Sequence, residues 1–135
     1  MSRAIRRGRN RALGEEGSAV VEFTLVSILV VFLVTGVFQL ALTLHVRNTL
    51  LSCAAEGARV AAAQDRTLAD GRERAETMSR DAFGGYPATA TAQIVMIDGA
   101  PAVAMTISAP VPVVGMWGFG TMTVTARAFE EVDRG

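Results

Sequence analysis

Three side chains in this sequence stand where chemistry would be noticed: Glu22, His45 and Cys53. His45 is the only histidine and Cys53 the only cysteine. Eight residues apart on a helix, they lie two turns from each other, too far for a thiolate–imidazole pair. A single cysteine cannot close an intramolecular disulfide; it reads as a small apolar core residue or as a thiol for an intermolecular bond. His45 falls at the outer edge of an oily run and reads as an interfacial polar residue rather than a base or ligand. No metal-ligand cluster, P-loop or dinucleotide fingerprint occurs. The sequence thus points to no catalytic residue, no metal and no cofactor, and to a protein that is not an enzyme.

Glu22 is a different matter. It is the only charged residue between Glu16 and Arg47. A carboxylate in a membrane segment is costly and usually paired or functional. The first turn of a helix tolerates negative charge, which accounts for its presence but not for the stretch Gly17-Ser18-Ala19-Val20-Val21-Glu22-Phe23. If the chain is cut after Gly17, Ser18 carries a new α-ammonium and Glu22 becomes the fifth residue. The carboxylate then lies one turn away on the same side of the helix. It can neutralise its own amine or, better, that of a neighbouring subunit, satisfying two charges that are expensive alone in lipid.

The element that must position these residues is a long helix. Phe23 to Val46 contains no Asp, Glu, Lys or Arg, and a membrane span needs about 20 predominantly apolar residues. Of the thirteen basic residues, all Arg, five precede this run: Arg3, Arg6, Arg7, Arg9 and Arg11. Basic flanks stay cytoplasmic, so the expected topology is a single pass through the cell (inner) membrane, N-terminus cytoplasmic and C-terminus extracytoplasmic. The Arg cluster abuts the span and lacks interleaved aromatics, so it reads as a topology signal in contact with lipid and not as a nucleic-acid arm. Residues 1–17 form a leader. Cutting there removes five Arg and two Glu and leaves eight Arg against eleven acids, a formal charge of −3.

The helical pattern continues past the oily run through the Ala-rich stretch to Ala63. A helix over 18–63 is about 70 Å long at 1.5 Å per residue, roughly twice the hydrocarbon thickness, so half of it projects outside. Ala54, Ala55, Gly57 and Ala58 reflect either helix propensity or a close approach by another helix. Residues 64–135 form the extracytoplasmic domain. A second helix is expected over Leu68–Phe83, opened by Thr67 and Asp70 as a capping box and carrying a thin stripe of Leu68, Ala75, Met78 and Ala82. Asp70–Arg74, Arg72–Glu76 and Glu76–Arg80 are i,i+4 charge pairs. After Pro87 two alternating runs flank Asp98-Gly99, a hairpin signal, and "TMTVTARAF" adds a third. "APVPVVGMWGFG" reads as a loop whose Met116, Trp117 and Phe119 either make a contact surface or cover the sheet. The fold class is α+β: a long transmembrane helix, a second short helix, then a small antiparallel sheet of three or four strands packed on helix surface.

The segment from Glu15 to Ala63 resembles the TadE-like family, minor pseudopilins of tight-adherence (Flp pilus) systems. The resemblance rests on Gly17-Ser18-Ala19, Val21-Glu22-Phe23, the oily run and Ala54-Ala55-Glu56-Gly57-Ala58-Arg59. It implies processing by a prepilin peptidase between Gly17 and Ser18, with Glu22 as the assembly and processing glutamate. It also implies partners among other pilins, pseudopilins and inner-membrane pilus assembly proteins, and a place in or beside a pilus or related secretion apparatus. Many relatives carry a proline shortly after the glutamate, where this chain has Ser27-Ile28; the first mature residue is Ser rather than the Phe of major pilins. The alternative from another class is a single-pass membrane-anchored extracytoplasmic binding module. An ordinary secreted protein is disfavoured, because a secretory apolar region runs about 7–15 residues.

Overall fold

Nothing in the first sixty residues forces a helix to stop: there is no proline before Pro87, and Leu, Ala and Arg, all good helix formers, are plentiful beside Val, which costs a helix little. The computed structural model, which describes residues 4–85, 87–111 and 120–130, has one unbroken helix there, α1 (Ala4–Ala62). Its backbone begins upstream of the start near Ser18 read from the sequence, because neither Gly14 nor Gly17 is a strong enough interruption alone. By chain contacts the molecule divides into two units, Met1–Leu40 and Ala41–Gly135.

In the second unit α2 (Leu68–Ala82) follows a short connection. The expected capping box is present. The Thr67 hydroxyl accepts from the Asp70 N–H at 3.2 Å, and the Asp70 carboxylate accepts from the Thr67 N–H at 2.8 Å. The buried stripe differs from the sequence reading: Gly71, Ala75 and Ser79 face inward, and Ala82 is exposed. Ser79 is tolerated there because its hydroxyl donates to the Ala75 carbonyl at 2.8 Å.

Three antiparallel strands complete the fold in the order β1-β2-β3: β1 (Thr89–Ile97), β2 (Ala100–Val111) and β3 (Gly120–Phe129). Asp98 and Gly99 have φ of 51° and 81°, both left-handed, as a two-residue hairpin turn requires. β2 runs further than the alternation suggested, through Ala109, Pro110 and Val111. Pro110 fits because β1 ends its pairing at Thr89 opposite Ser108, so the missing N–H has no strand to serve. Met116, Trp117, Phe119, Glu131 and Asp133 lie outside the described residues.

One face of the sheet packs on helix. The core joins Val46, Leu50, Cys53, Ala54 and Ala58 of α1 to Ala75 of α2 and to Val103, Met105, Ile107 and Val124 of the sheet. At its centre the two helices cross backbone to backbone. A Cβ at Gly57 would meet Ala75 Cβ at 2.7 Å and the Gly71 carbonyl oxygen at 2.8 Å, and one at Gly71 would run into the Gly57 carbonyl oxygen and Ala61 Cβ. The small residues read in α1 therefore do admit another helix, and that helix is the chain's own α2.

Candidate functional site

Gly17, Ser18 and Glu22 lie on successive turns of α1, all exposed. A Cβ at Gly17 would meet nothing within 4 Å, so this glycine makes no close approach to the described residues. Ser18 precedes Glu22 by four residues, which places both on one face of the helix. Glu22 makes no hydrogen bond or ion pair among the described residues. Its neighbours are occupied locally: the Thr24 hydroxyl donates to the Val20 carbonyl at 2.8 Å, the back-bonding that lets a hydroxyl sit in lipid. The one ion pair found among the described residues is elsewhere, Glu56–Arg59 at 3.4 Å.

The surroundings of Glu22 are apolar and open. Val20, Val21, Phe23, Leu25 and Val26 are all exposed, and the segment from Gly17 belongs to the one helix here that is long and apolar enough to cross a membrane. A carboxylate on such a surface can attract a cation brought to it from outside the chain. Nothing around it resembles a hydrolytic or transfer centre.

The other two residues singled out for chemistry are kept apart. His45 is exposed on α1, and Cys53 is a buried free thiol in the core. No group of three or more His, Cys, Asp or Glu able to hold a metal occurs among the described residues. The i,i+4 charge pairs expected along α2 do not form. Asp70 turns to Thr67, and Glu76 accepts the Ala90 backbone N–H at 3.0 Å, tying α2 to the edge of the sheet. The Asp70 carboxyl is held below its ordinary value by the hydrogen bonds from the Thr67 backbone and hydroxyl, with help from Arg66.

An open cleft of about 720 Å³ at the α1–α2 end of the second unit brings together Glu56, Arg59, Arg66, Glu73, Arg74 and Phe129. No sequence pattern announced it, because Ala128 and Phe129 of β3 close a wall otherwise made by α1 and α2, far earlier in the chain. Its lining mixes Arg and carboxylate side chains.

Residues 17–59 match the family model described as TadE-like protein. The match opens on Gly17, includes Ser18 and Glu22, and ends on Arg59. No curated protein and no solved structure matches the chain.

Proposed function

We propose that this chain is a minor pseudopilin-like assembly subunit of a tight-adherence, Flp-type pilus or a related secretion apparatus. It is anchored by one membrane pass in the helix over 18–63, with residues 64–135 extracytoplasmic, and is cut by a prepilin peptidase between Gly17 and Ser18. The observation that carries this reading is Glu22: a carboxylate on an exposed apolar helix, without a partner among the described residues, five residues after the Gly17 on which the family match begins. A neighbour's new amine at Ser18 is the complement it lacks, so cleavage and assembly become one electrostatic event. The Arg-rich stretch before the span supports the orientation. The family resemblance supports the machine, and other pilins or pseudopilins are the partners it implies.

Intact-mass measurement of the membrane-extracted protein from cells with an active prepilin peptidase tests the reading. The expected mature chain begins at Ser18. A chain that retains residues 1–17 refutes processing and favours a plain membrane-anchored module; a terminus beyond Leu44 means a secreted protein.

A further inference from the structure

The second unit has two unlike ends along its own stretch of α1. α2 runs back along that stretch: Gly71 lies against Ala61 and Ala75 against Gly57, and Phe83 reaches the turn that holds Leu42 and Val46. At the Ala61 end the cleft described above is lined by three Arg and three carboxylate residues. At the other end lies a smaller and more enclosed cleft of about 260 Å³. α1 supplies Leu42, His45 and Val46, Phe83 follows the end of α2, and β2 supplies Ala109 and Pro110. No Asp, Glu, Lys or Arg is among its described lining residues.

These walls suit an apolar occupant. Val46 and Ala109 are buried in the core, and Pro110 has no N–H to offer. The His45 carbonyl already accepts from the Thr49 hydroxyl at 3.0 Å. A water held in such a space needs two to four polar partners, and of the lining side chains only the imidazole is polar. The place of the cleft in the chain says which apolar molecule is at hand. Leu42, His45 and Val46 form the last turn of the uncharged run, and Arg47 is the first charge after it. That run, Phe23 to Val46, is about 36 Å long at 1.5 Å per residue, a little more than the roughly 30 Å hydrocarbon core. Its last turn therefore stands where hydrocarbon gives way to headgroups. Three lining residues are themselves that turn, so the cleft is at this boundary wherever the rest of the span lies.

We infer that this cleft takes one acyl chain of a membrane lipid, with the exposed His45 ring at headgroup level. The second unit is then fastened to the bilayer at a point besides its helix, by Phe83, Ala109 and Pro110, which lie far from the apolar run in sequence.

This inference rests on the membrane pass proposed above. The test uses the full chain in vesicles of a phosphatidylcholine that carries a diazirine on one acyl chain. After irradiation, mass spectrometry of the digested protein should find adducts on residues 23–40 and, separately, on Phe83 and on Ala109 or Pro110. Ala109→Phe fills the cleft from its floor, and His45→Trp crowds it from an exposed position where a larger ring leaves the fold intact. Each should abolish the adducts on Phe83, Ala109 and Pro110 and leave those on residues 23–40 unchanged. Adducts on residues 23–40 alone, adducts in the second unit confined to residues 112–119, or adducts on Phe83 that survive His45→Trp would overturn the acyl-chain site and leave the membrane pass standing. A chain with no adduct on residues 23–40 refutes the membrane pass itself.

Discussion

Two stretches of α1 are equally helical, yet they are built from different residues: the first has no charged side chain, and the second carries Arg47, Glu56 and Arg59 on its outer faces. Between Phe23 and Leu40 the side chains are large and exposed, with Phe23 and Phe32 at 74 % and Phe38 at 67 %. Between Val46 and Ala62 the buried positions are mostly Ala, with Gly57 and Cys53, and Leu50 is the one large side chain at 0 %. The first stretch suits a solvent that is itself apolar, where no close fit within the chain is needed. The second lets backbones approach, so that α2 and the sheet cover it. Charge marks part of the difference, and the size of the buried or presented side chains marks the rest.

The most severe test falls on the charge at the head of the first stretch. Glu22→Gln is expected to abolish crosslinking to partner pseudopilins while the membrane level stays normal. Breaking a buried ion pair costs about 3–5 kcal/mol, and about 1.4 kcal/mol is already tenfold in an equilibrium. If the carboxylate serves only the helix dipole, the loss is about 0.3–1 kcal/mol and crosslinking persists.

Next come two leucines on the one helix. Leu50→Ala should destabilise the second unit by about 2–5 kcal/mol, the usual range for emptying a packed core position, read as a lower midpoint of thermal unfolding in detergent. Leu33→Ala, from an exposed site, should leave that midpoint unchanged. Equal effects would erase the distinction between the stretches.

Glycines give a finer comparison. Gly57→Ala drives a methyl into Ala75 and the Gly71 carbonyl and should cost about 1–3 kcal/mol, as overpacking does. At Gly36 a Cβ would meet nothing within 4 Å, and Gly36→Ala should change stability by no more than about 1 kcal/mol, the helix-propensity difference. The same thermal midpoint measures both.

The smallest effect concerns the start of α2. Asp70 has its carboxyl lowered from 3.8 by Thr67. A group depressed in the folded state contributes stability that is fully present above its unfolded value and is lost as pH falls through the folded one. The protection of amides at the start of α2, taken relative to their intrinsic exchange rates, should therefore fall below about pH 4, where an unfolded Asp carboxyl (about 3.9) begins to protonate. Asp70→Asn should flatten that dependence.

Much of this was legible because it is local. The capping box, the Asp98-Gly99 turn and the switch from helical to alternating periodicity each lie within a few residues, and so does the Gly17–Glu22 spacing. What escaped depends on distant partners. Gly71 joins the buried stripe because α1 brings Gly57 and Ala61 against it, and Ser79 is buried with it while Ala82 is exposed. Pro110 stays in a strand only because β1 has already ended. Glu76 leaves its helical neighbours for Ala90, fourteen residues on, and the Arg-lined cleft needs three elements at once.

The strand order β1-β2-β3 also bears on how the second unit comes together in time. Each strand pairs with the one just made, and α2 packs on the helix that immediately precedes it. No segment must wait for a distant stretch of chain before finding a neighbour. Loop-closure entropy is therefore small at every step, and folds rich in such local contacts tend to form fast. A domain with this wiring can assemble in the order in which its chain emerges, with the β3 edge completed last.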